Sequence, residues 1–297
     1  MENLNNVQIR DVDFKIGINL ERYTTIKLAE KGNIAICFSE QGLIQLVKYC
    51  VDNNISYHLI GWGANQVLLN TKNTLFVKIE FPFDRNSLEY KEGVREFNLP
   101  ASAPLIQLTS AAVKYGYKGW EVFTGIPASL GGAICMNAGT SLGAIGELVK
   151  EIRILKPDGT MKNYICNQKS FSYRNNNFLK QGDIIISAII KHNGIDDSTP
   201  GIISKYLDKR KLSQPLDTKN CGSVFKNLNG FTAGKVIDSV GLKSFGFHNL
   251  SVSQKHGNFI ENSGEASAEE FERLVLLLQQ EIERYSGLKF ELEVKVY

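Results

Sequence analysis

No C-x-x-C pair occurs in the sequence. Its five cysteines, Cys37, Cys50, Cys135, Cys166 and Cys221, are odd in number and widely spaced. That pattern excludes a zinc cluster and a disulfide framework, and it fits free thiols in a reducing compartment. The four histidines, His58, His192, His248 and His256, form no H-E-x-x-H pair, so no metal site is expected. Long apolar runs are also missing. The five residues Leu274 to Leu278 are typical of the longest, far short of the roughly 18 that a membrane helix needs. The charge-free stretch 122–146 is interrupted by glycine, serine, proline and asparagine. The N-terminal MENLNNVQIRDVDF lacks an apolar h-region, so the expected location is the cytoplasm, with no membrane association. Nor is there a dominant charge: 34 Lys and Arg against 31 Asp and Glu give +3, which excludes the electrostatic footprint of a nucleic-acid binder.

What is present is the composition of an ordinary globular chain, 43% hydrophobic and 22% charged over 297 residues. At about 150 residues per domain, that length suggests roughly two domains or one large one. Residues 1–20 are polar and are expected to be a loosely ordered lead-in. Strands are expected at 33–38, 55–60 and 75–79, with a helix between the first two, capped by Ser39 and running to about Asp52. A helix is expected over 104–115. A hairpin is expected from 148–155 and 161–166 around Pro157-Asp158-Gly159, followed by a strand at 183–192. The polar stretch 193–201 is the best candidate for a domain boundary, and a charged helix over about 202–211 follows it. Near the C-terminus, Ser267 and Glu270 form a capping box ahead of an apolar stripe, Phe271, Leu274, Val275, Leu278, Ile282 and Tyr285. Gly287 stops that helix, and 288–297 alternates like a strand. The mixture of elements places the chain in the α+β or α/β class.

Three segments have the composition of a site. Leu59-Ile-Gly-Trp-Gly-Ala-Asn65 runs from a strand into closely spaced glycines, where backbone N–H groups can approach phosphate oxygens. The same residues also suit an ordinary tight turn, since Gln66 breaks any G-x-G-x-x-G. Gly125-Ile-Pro-Ala-Ser-Leu-Gly-Gly-Ala-Ile-Cys-Met-Asn-Ala-Gly139 could wrap a flat ligand or simply connect elements packed on a sheet. In Cys221-Gly-Ser-Val-Phe-Lys-Asn227 a glycine precedes a serine that could be presented to a site. It is not a G-x-S-x-G elbow, and a polar turn opening a strand reads equally well.

The ordered series is more specific than its parts. Tyr23-Thr-Thr25, Gly61 to Asn65, Gly125-Ile-Pro127 with Gly131-Gly132, Asn137-Ala-Gly139, Tyr173-Arg174, Cys221 to Asn227, Lys255-His256 with Asn258-Phe259, and Glu293-Val294 together resemble the UDP-N-acetylenolpyruvoylglucosamine reductases, the MurB family of flavoenzymes. The short segment after Arg174 is similar to the family's compact form, of which this chain looks like a divergent member. The resemblance implies an α+β fold. It has a vanillyl-alcohol-oxidase/PCMH-type FAD-binding domain over 21–192, followed by a MurB-type C-terminal substrate-binding domain over 200–297. It implies FAD as cofactor, NADPH as reductant and a small-molecule UDP-sugar as substrate, in peptidoglycan precursor synthesis. The implied cofactor-binding residues are Thr25, Gly61, Trp62, Gly63, Ala64, Asn65, Gly125, Ile126, Pro127, Ser129, Gly131, Gly132, Asn137 and Gly139. Tyr173, Asn227 and Lys295 are the implied substrate contacts. The implied catalytic residues are Ser223, Arg174 and Glu293. Serine would supply a proton, arginine would hold the carboxylate where charge develops, and glutamate would act in protonated form, with burial raising its pKa.

The sequence departs from the family pattern at several positions. Ala29-Glu30 stand where the family has two glycines, and Glu30 would repel a nearby pyrophosphate. Ala64 replaces a serine, Ala128 a glycine, Ser213 a lysine, His248-Asn249 a glycine pair, and Lys295 an arginine. Ser223, Arg174 and Glu293 are all retained. Two other readings remain at this level: a paralogue reducing a different unsaturated acid, and a family member that no longer catalyses.

Overall fold

A computed structural model of the chain describes residue 4, residues 7–228 and residues 230–297. It divides into two compact units, neither of them a single continuous stretch. One contains Met1–Ile16, Ile34–Gly61 and Leu75–Asp208; the other contains Gly17–Asn33, Trp62–Thr74 and Lys209–Tyr297. The fold is α+β.

The first unit is built on two sheets. One has the order Val12–Asn19, Lys31–Cys37, Leu75–Ile79, Tyr57–Ile60, its last two strands parallel. The helix Glu40–Asp52 lies between the second and fourth of these strands in the chain; Ser39 caps it by accepting from the Gly42 N–H, as its spacing predicts. Leu43, Leu46, Val47 and Cys50 bury one helical stripe against Ala35, Cys37, Leu75 and Val77. The other sheet, ordered Met161–Ile165, Val149–Leu155, Ile184–Lys191, Glu96–Pro100, is wholly antiparallel. Its first two strands form the expected hairpin, and Gly159 takes the positive φ (+84°) that the Pro-Asp-Gly turn requires. Trp120, Tyr117 and Phe97 pack edge to face beneath it, and their burial anchors the larger core of this unit.

Three segments differ from expectation. The lead-in 1–20 includes a strand, Val12–Asn19, whose alternation of Val12, Phe14, Ile16 and Ile18 has the period of a half-covered sheet; residues 1–3, 5 and 6 of that lead-in lie outside the described residues. The stretch 193–201 is not an open linker. Asn193 N–H donates to the Lys118 carbonyl, Lys118 N–H donates to Gly194, and Thr199 already begins the helix Thr199–Ser213. The division between units falls inside that helix, after Asp208. The terminal segment 288–297 is interrupted, because Leu292 bridges to Phe225 whereas Lys295–Val296 pairs in parallel with Gln66–Val67.

In the second unit the helix Ala268–Ser286 has the capping box of Ser267 and Glu270 and ends at Gly287 with φ +69°. Phe271, Leu274, Val275, Leu278 and Ile282 are buried against Ile26, Val67, Phe225 and Val294, whereas Tyr285, expected to continue the stripe, is 60% exposed in the last turn of the helix. Strands Gly246–Phe247, Leu250–Val252 and Ile260–Asn262 form a small antiparallel sheet. No helix among the described residues is long and apolar enough to cross a membrane.

Candidate active site

In the first unit the strand Tyr57–Ile60 delivers Gly61 next to the segment 129–132. A Cβ on Gly61 would meet Ser129 Oγ at 3.2 Å and Gly132 Cα at 3.9 Å. Ser129 caps the short helix Leu130–Cys135, its Oγ accepting from the Gly132 N–H at 3.4 Å. Gly131 is held against the sheet: its N–H donates to the Ala101 carbonyl at 2.8 Å, and a Cβ there would stand 2.8 Å from Ala101 Cβ. Gly125, Ile126 and Pro127 precede the cap, with Gly125 and Pro127 exposed and Gly125 at φ +70°. Two of the three segments singled out from sequence therefore converge on a glycine-lined, uncharged surface. Small residues there let the main chain of the two segments approach closely and leave no charged side chain beside them.

Farther along this unit, Phe171–Ser172 and Asn175–Asn176 pair as a two-residue hairpin with Tyr173 and Arg174 at its tip. Arg174 has φ +54°. Two-residue hairpins favour turns with positive φ at the first or both loop positions; positive φ at the second alone is a type II pattern, which prefers glycine or asparagine. Tyr173 is 55% exposed, with the Arg174 guanidinium carbon 5.4 Å from its ring centroid. Phe171 and Phe178 meet edge to face at the base, where Tyr164 stacks on Phe178. Asn137, buried and itself at φ +46°, donates from Nδ2 to the Ser172 carbonyl at 2.8 Å and accepts on Oδ1 from the Gly146 N–H at 3.0 Å. Gly139 opens a two-strand ribbon in which a Cβ would press within 2.8 Å of the Gly143 carbonyl oxygen.

Within the second unit, four distant stretches of sequence are hydrogen-bonded together. Thr25 N–H donates to the Gly63 carbonyl at 3.2 Å, and Thr25 Oγ1 donates to the Asn220 carbonyl at 2.7 Å. Gly63 has φ +65°, and a Cβ on it would stand 2.6 Å from Thr24 Cα and nearer still to the Tyr23 carbonyl oxygen. Trp62 is 41% exposed. Asn65 clips the terminal segment from both sides: its Nδ2 donates to the Glu293 carbonyl at 3.0 Å, and its own carbonyl accepts from Lys295 N–H at 3.0 Å. Ser223 lies between Gly222, at φ +75° beside the Ala64 carbonyl, and Val224, whose carbonyl accepts from Glu293 N–H at 2.8 Å. Glu293 is 8% exposed. Asn227 is exposed, its Oδ1 accepting from Ala233 N–H at 2.9 Å.

Asn258, quoted in the motif series without a role, is the internal brace of this arrangement. Its buried side chain accepts from Phe225 N–H at 2.9 Å and donates to the Phe225 carbonyl at 2.8 Å, and its carbonyl accepts from Val224 N–H at 2.9 Å. The Ser223–Phe225 stretch is thus gripped by Asn258 and by the C-terminal segment. Next to Ser223, burial pushes the Cys221 thiol up to about 12, which leaves it a neutral packing group. Among the described residues no cluster of histidine, cysteine, aspartate or glutamate could hold a metal ion.

Three of the departures from the family pattern find their place in the structure. Glu30 is engaged at a helix terminus: its Oε1 accepts from Ala268 N–H at 2.8 Å, at the first turn of Ala268–Ser286, where helix N–H groups lack intrahelical partners. Burial, reinforced by Glu269, raises its pKa despite that bond. His248 and Asn249 form the two-residue loop between Phe247 and Leu250, with His248 at φ +54°, a position that favours glycine. Ser213 spends its hydroxyl on the Lys209 carbonyl, 2.9 Å away in the preceding helical turn.

Residues 214–297 match the family described as UDP-N-acetylenolpyruvoylglucosamine reductase, C-terminal domain, and residues 33–164 match an FAD binding domain. The UDP-N-acetylenolpyruvoylglucosamine reductase of Clostridioides difficile is 30% identical over 296 residues, covering 99% of this chain and 96% of the relative. That of Streptococcus uberis is 30% identical over 296 residues, covering 97% and 95%. The crystal structure of the UDP-N-acetylenolpyruvylglucosamine reductase MurB from Thermus caldophilus superposes with a TM-score of 0.79 at 27% identity, covering 98% of this chain and all of that one.

Proposed function

The chain belongs to the UDP-N-acetylenolpyruvoylglucosamine reductase family, and from that premise we propose the roles of its residues in the reaction. It is an FAD-dependent oxidoreductase that reduces the enolpyruvyl group of UDP-N-acetylglucosamine enolpyruvate to the lactyl ether of UDP-N-acetylmuramate, with NADPH as reductant, in peptidoglycan precursor synthesis. When bound, FAD would supply the redox chemistry, the two-electron transfer from NADPH to the enolpyruvyl double bond.

The residues present suit that cofactor. Thr25, Gly61, Trp62, Gly63, Ala64, Asn65, Gly125, Ile126, Pro127, Ser129, Gly131, Gly132 and Gly139 are all uncharged, six of them glycine. Glu30, whose charge would have opposed a pyrophosphate, is engaged at a helix terminus instead. Arg174 takes the substrate carboxylate, for which a planar guanidinium is suited. Ser223 gives its hydroxyl proton to the carbon beside that carboxylate and recovers it from water. A hydroxyl is a weak acid, and it serves only because the enolate-like species it meets is strongly basic. Glu293 stabilises the charge that develops on the carboxylate. Tyr173, Asn227 and Lys295 contact the substrate, with lysine acting as a point charge where the family pattern has the forked arginine.

The observation that carries this reading is the joining of Asn65, Val224 and Glu293 by main-chain and amide hydrogen bonds, which gathers the glycine turn, the serine and the glutamate. Counted along the sequence, we take 21–192 as the flavin-binding domain and 200–297 as the substrate-binding domain, although residues 17–33 and 62–74 belong to the same compact unit as 209–297. The cytoplasm, where NADPH and nucleotide sugars are found, is the location we propose.

An anaerobic absorbance titration tests the reading. Flavin bands should bleach with NADPH and return on adding the UDP-enolpyruvyl sugar. Bleaching without return would assign the chain a different unsaturated acceptor. A protein that takes up no FAD would overturn the reading.

A further inference from the structure

Arg174 is an arginine in a backbone conformation that favours glycine, at the tip of a two-residue loop. A non-glycine residue there is strained, and such strain persists only where surrounding contacts over-determine it. Two asparagine amides grip the two arms of the hairpin. On the arm before the tip, Asn137 Nδ2 donates to the Ser172 carbonyl at 2.8 Å, and its Oδ1 is fixed by the Gly146 N–H at 3.0 Å. On the arm after the tip, Asn176 Nδ2 donates to the Cys135 carbonyl at 2.6 Å, while its Oδ1 accepts from Leu179 N–H at 2.9 Å. Cys135 ends the helix Leu130–Cys135, and Asn137 follows it by two residues, so both amides tie the hairpin to the C-terminal end of one short helix. Each asparagine uses both ends of its amide on main chain, which fixes its rotamer and the position of the backbone it holds.

We propose that Asn137 and Asn176 are positioning residues for Arg174. They lock the hairpin so that the guanidinium is held in place before substrate arrives. This assigns Asn137 to the support of the hairpin rather than to the cofactor, and it gives Asn176 a function that no motif suggested. The proposal rests on Arg174 being the carboxylate-binding residue. A group that acts on developing charge must be placed before the reaction, and a displacement of about 1 Å can cost on the order of a hundredfold in rate.

The test uses the FAD-loaded enzyme and follows flavin absorbance by stopped flow. In Asn176→Ala, reoxidation by the UDP-enolpyruvyl sugar should slow at least about tenfold, while reduction by NADPH and flavin content stay at the parent's values. In an Arg174→Ala background the same substitution should cost less than about twofold, because the partner through which it acts is gone. An equal loss in both backgrounds, or no loss in either, would overturn the proposal. Asn176→Asp keeps the acceptor for Leu179 N–H and loses the donor to Cys135. It should match Asn176→Ala, and a parent-like rate would overturn the assignment of that bond.

Amide hydrogen exchange over 171–177 provides a readout independent of activity. Asn137→Ala and Asn176→Ala should each lower protection there, and unchanged exchange would show that no clamp exists. If Arg174→Ala reoxidised at the parent's rate, the role given to Arg174 would fall and the positioning proposal with it. The exchange result would still report whether the hairpin is clamped.

Discussion

Replacing Gly63 by alanine should cost far more than the same change at Gly17, although both residues have nearly the same φ, +65° and +63°. Alanine in the left-handed region costs about 1–2 kcal/mol at either site. At Gly17 nothing lies within 4 Å of the added methyl, so that is the whole expected cost. At Gly63 the methyl would stand 2.6 Å from Thr24 Cα and closer to the Tyr23 carbonyl oxygen. Both are main-chain atoms and cannot swing aside as a flexible side chain would. Backbone displacement of that kind adds about 1–3 kcal/mol, bringing the total to roughly 2–5 kcal/mol. If the whole chain unfolds as one, each kcal/mol is about 2–4 °C in Tm at most. The expected loss is therefore about 2–8 °C for Gly17→Ala and about 4–20 °C for Gly63→Ala. Because Thr25 N–H donates to the Gly63 carbonyl, the displacement should also reach the 23–25 segment and lower flavin occupancy in Gly63→Ala alone. The assay is paired thermal unfolding of apo and FAD-loaded protein. Equal Tm losses at the two positions, with equal flavin retention, would refute the claim that close backbone approach makes Gly63 indispensable.

Three further outcomes are expected. Ser223→Ala should remove product formation while leaving NADPH-driven bleaching of the flavin intact; loss of bleaching as well would contradict the proton-donor role. Glu293→Gln should retain FAD and slow substrate reduction by on the order of tenfold or more; unchanged turnover would remove Glu293 from the site. Glu30 has a pKa raised from 4.5 by burial, so the stability linked to its neutral form is fully present below that value and is lost as pH rises through the raised one. Glu30→Gln, which keeps an oxygen for Ala268 N–H, should match the parent's Tm below about pH 4.5 and exceed it at higher pH, by a margin that levels off above the raised pKa; a pH-independent difference in unfolding scans would count against a half-buried, charge-averse carboxylate.

Much of the local structure was legible in the sequence because its causes are local. Ser39 and Ser267 cap the helices that their spacing announced, and Gly287 and Gly159 take the positive φ that a stop and a turn require. The apolar stripe from Phe271 to Ile282 is the buried face of its helix. The family resemblance was legible too, because short motifs in fixed order survive where overall identity is only about 30%. Tertiary structure decided everything that joins residues far apart in the chain. Glu30 and Ala268 are 238 residues apart, and only folding sets that carboxylate on a helix terminus instead of near a phosphate. Asn65 and Glu293 are 228 apart, and the amide between them is one asparagine among many until the strands are laid side by side. The strand at 12–19 and the pairing of 193–195 with 116–118 were likewise settled by partners rather than by composition. Caps, turns and helical stripes depend on neighbours within a few residues, so sequence alone determined them; hydrogen bonds across two hundred residues depend on where the whole chain comes to rest.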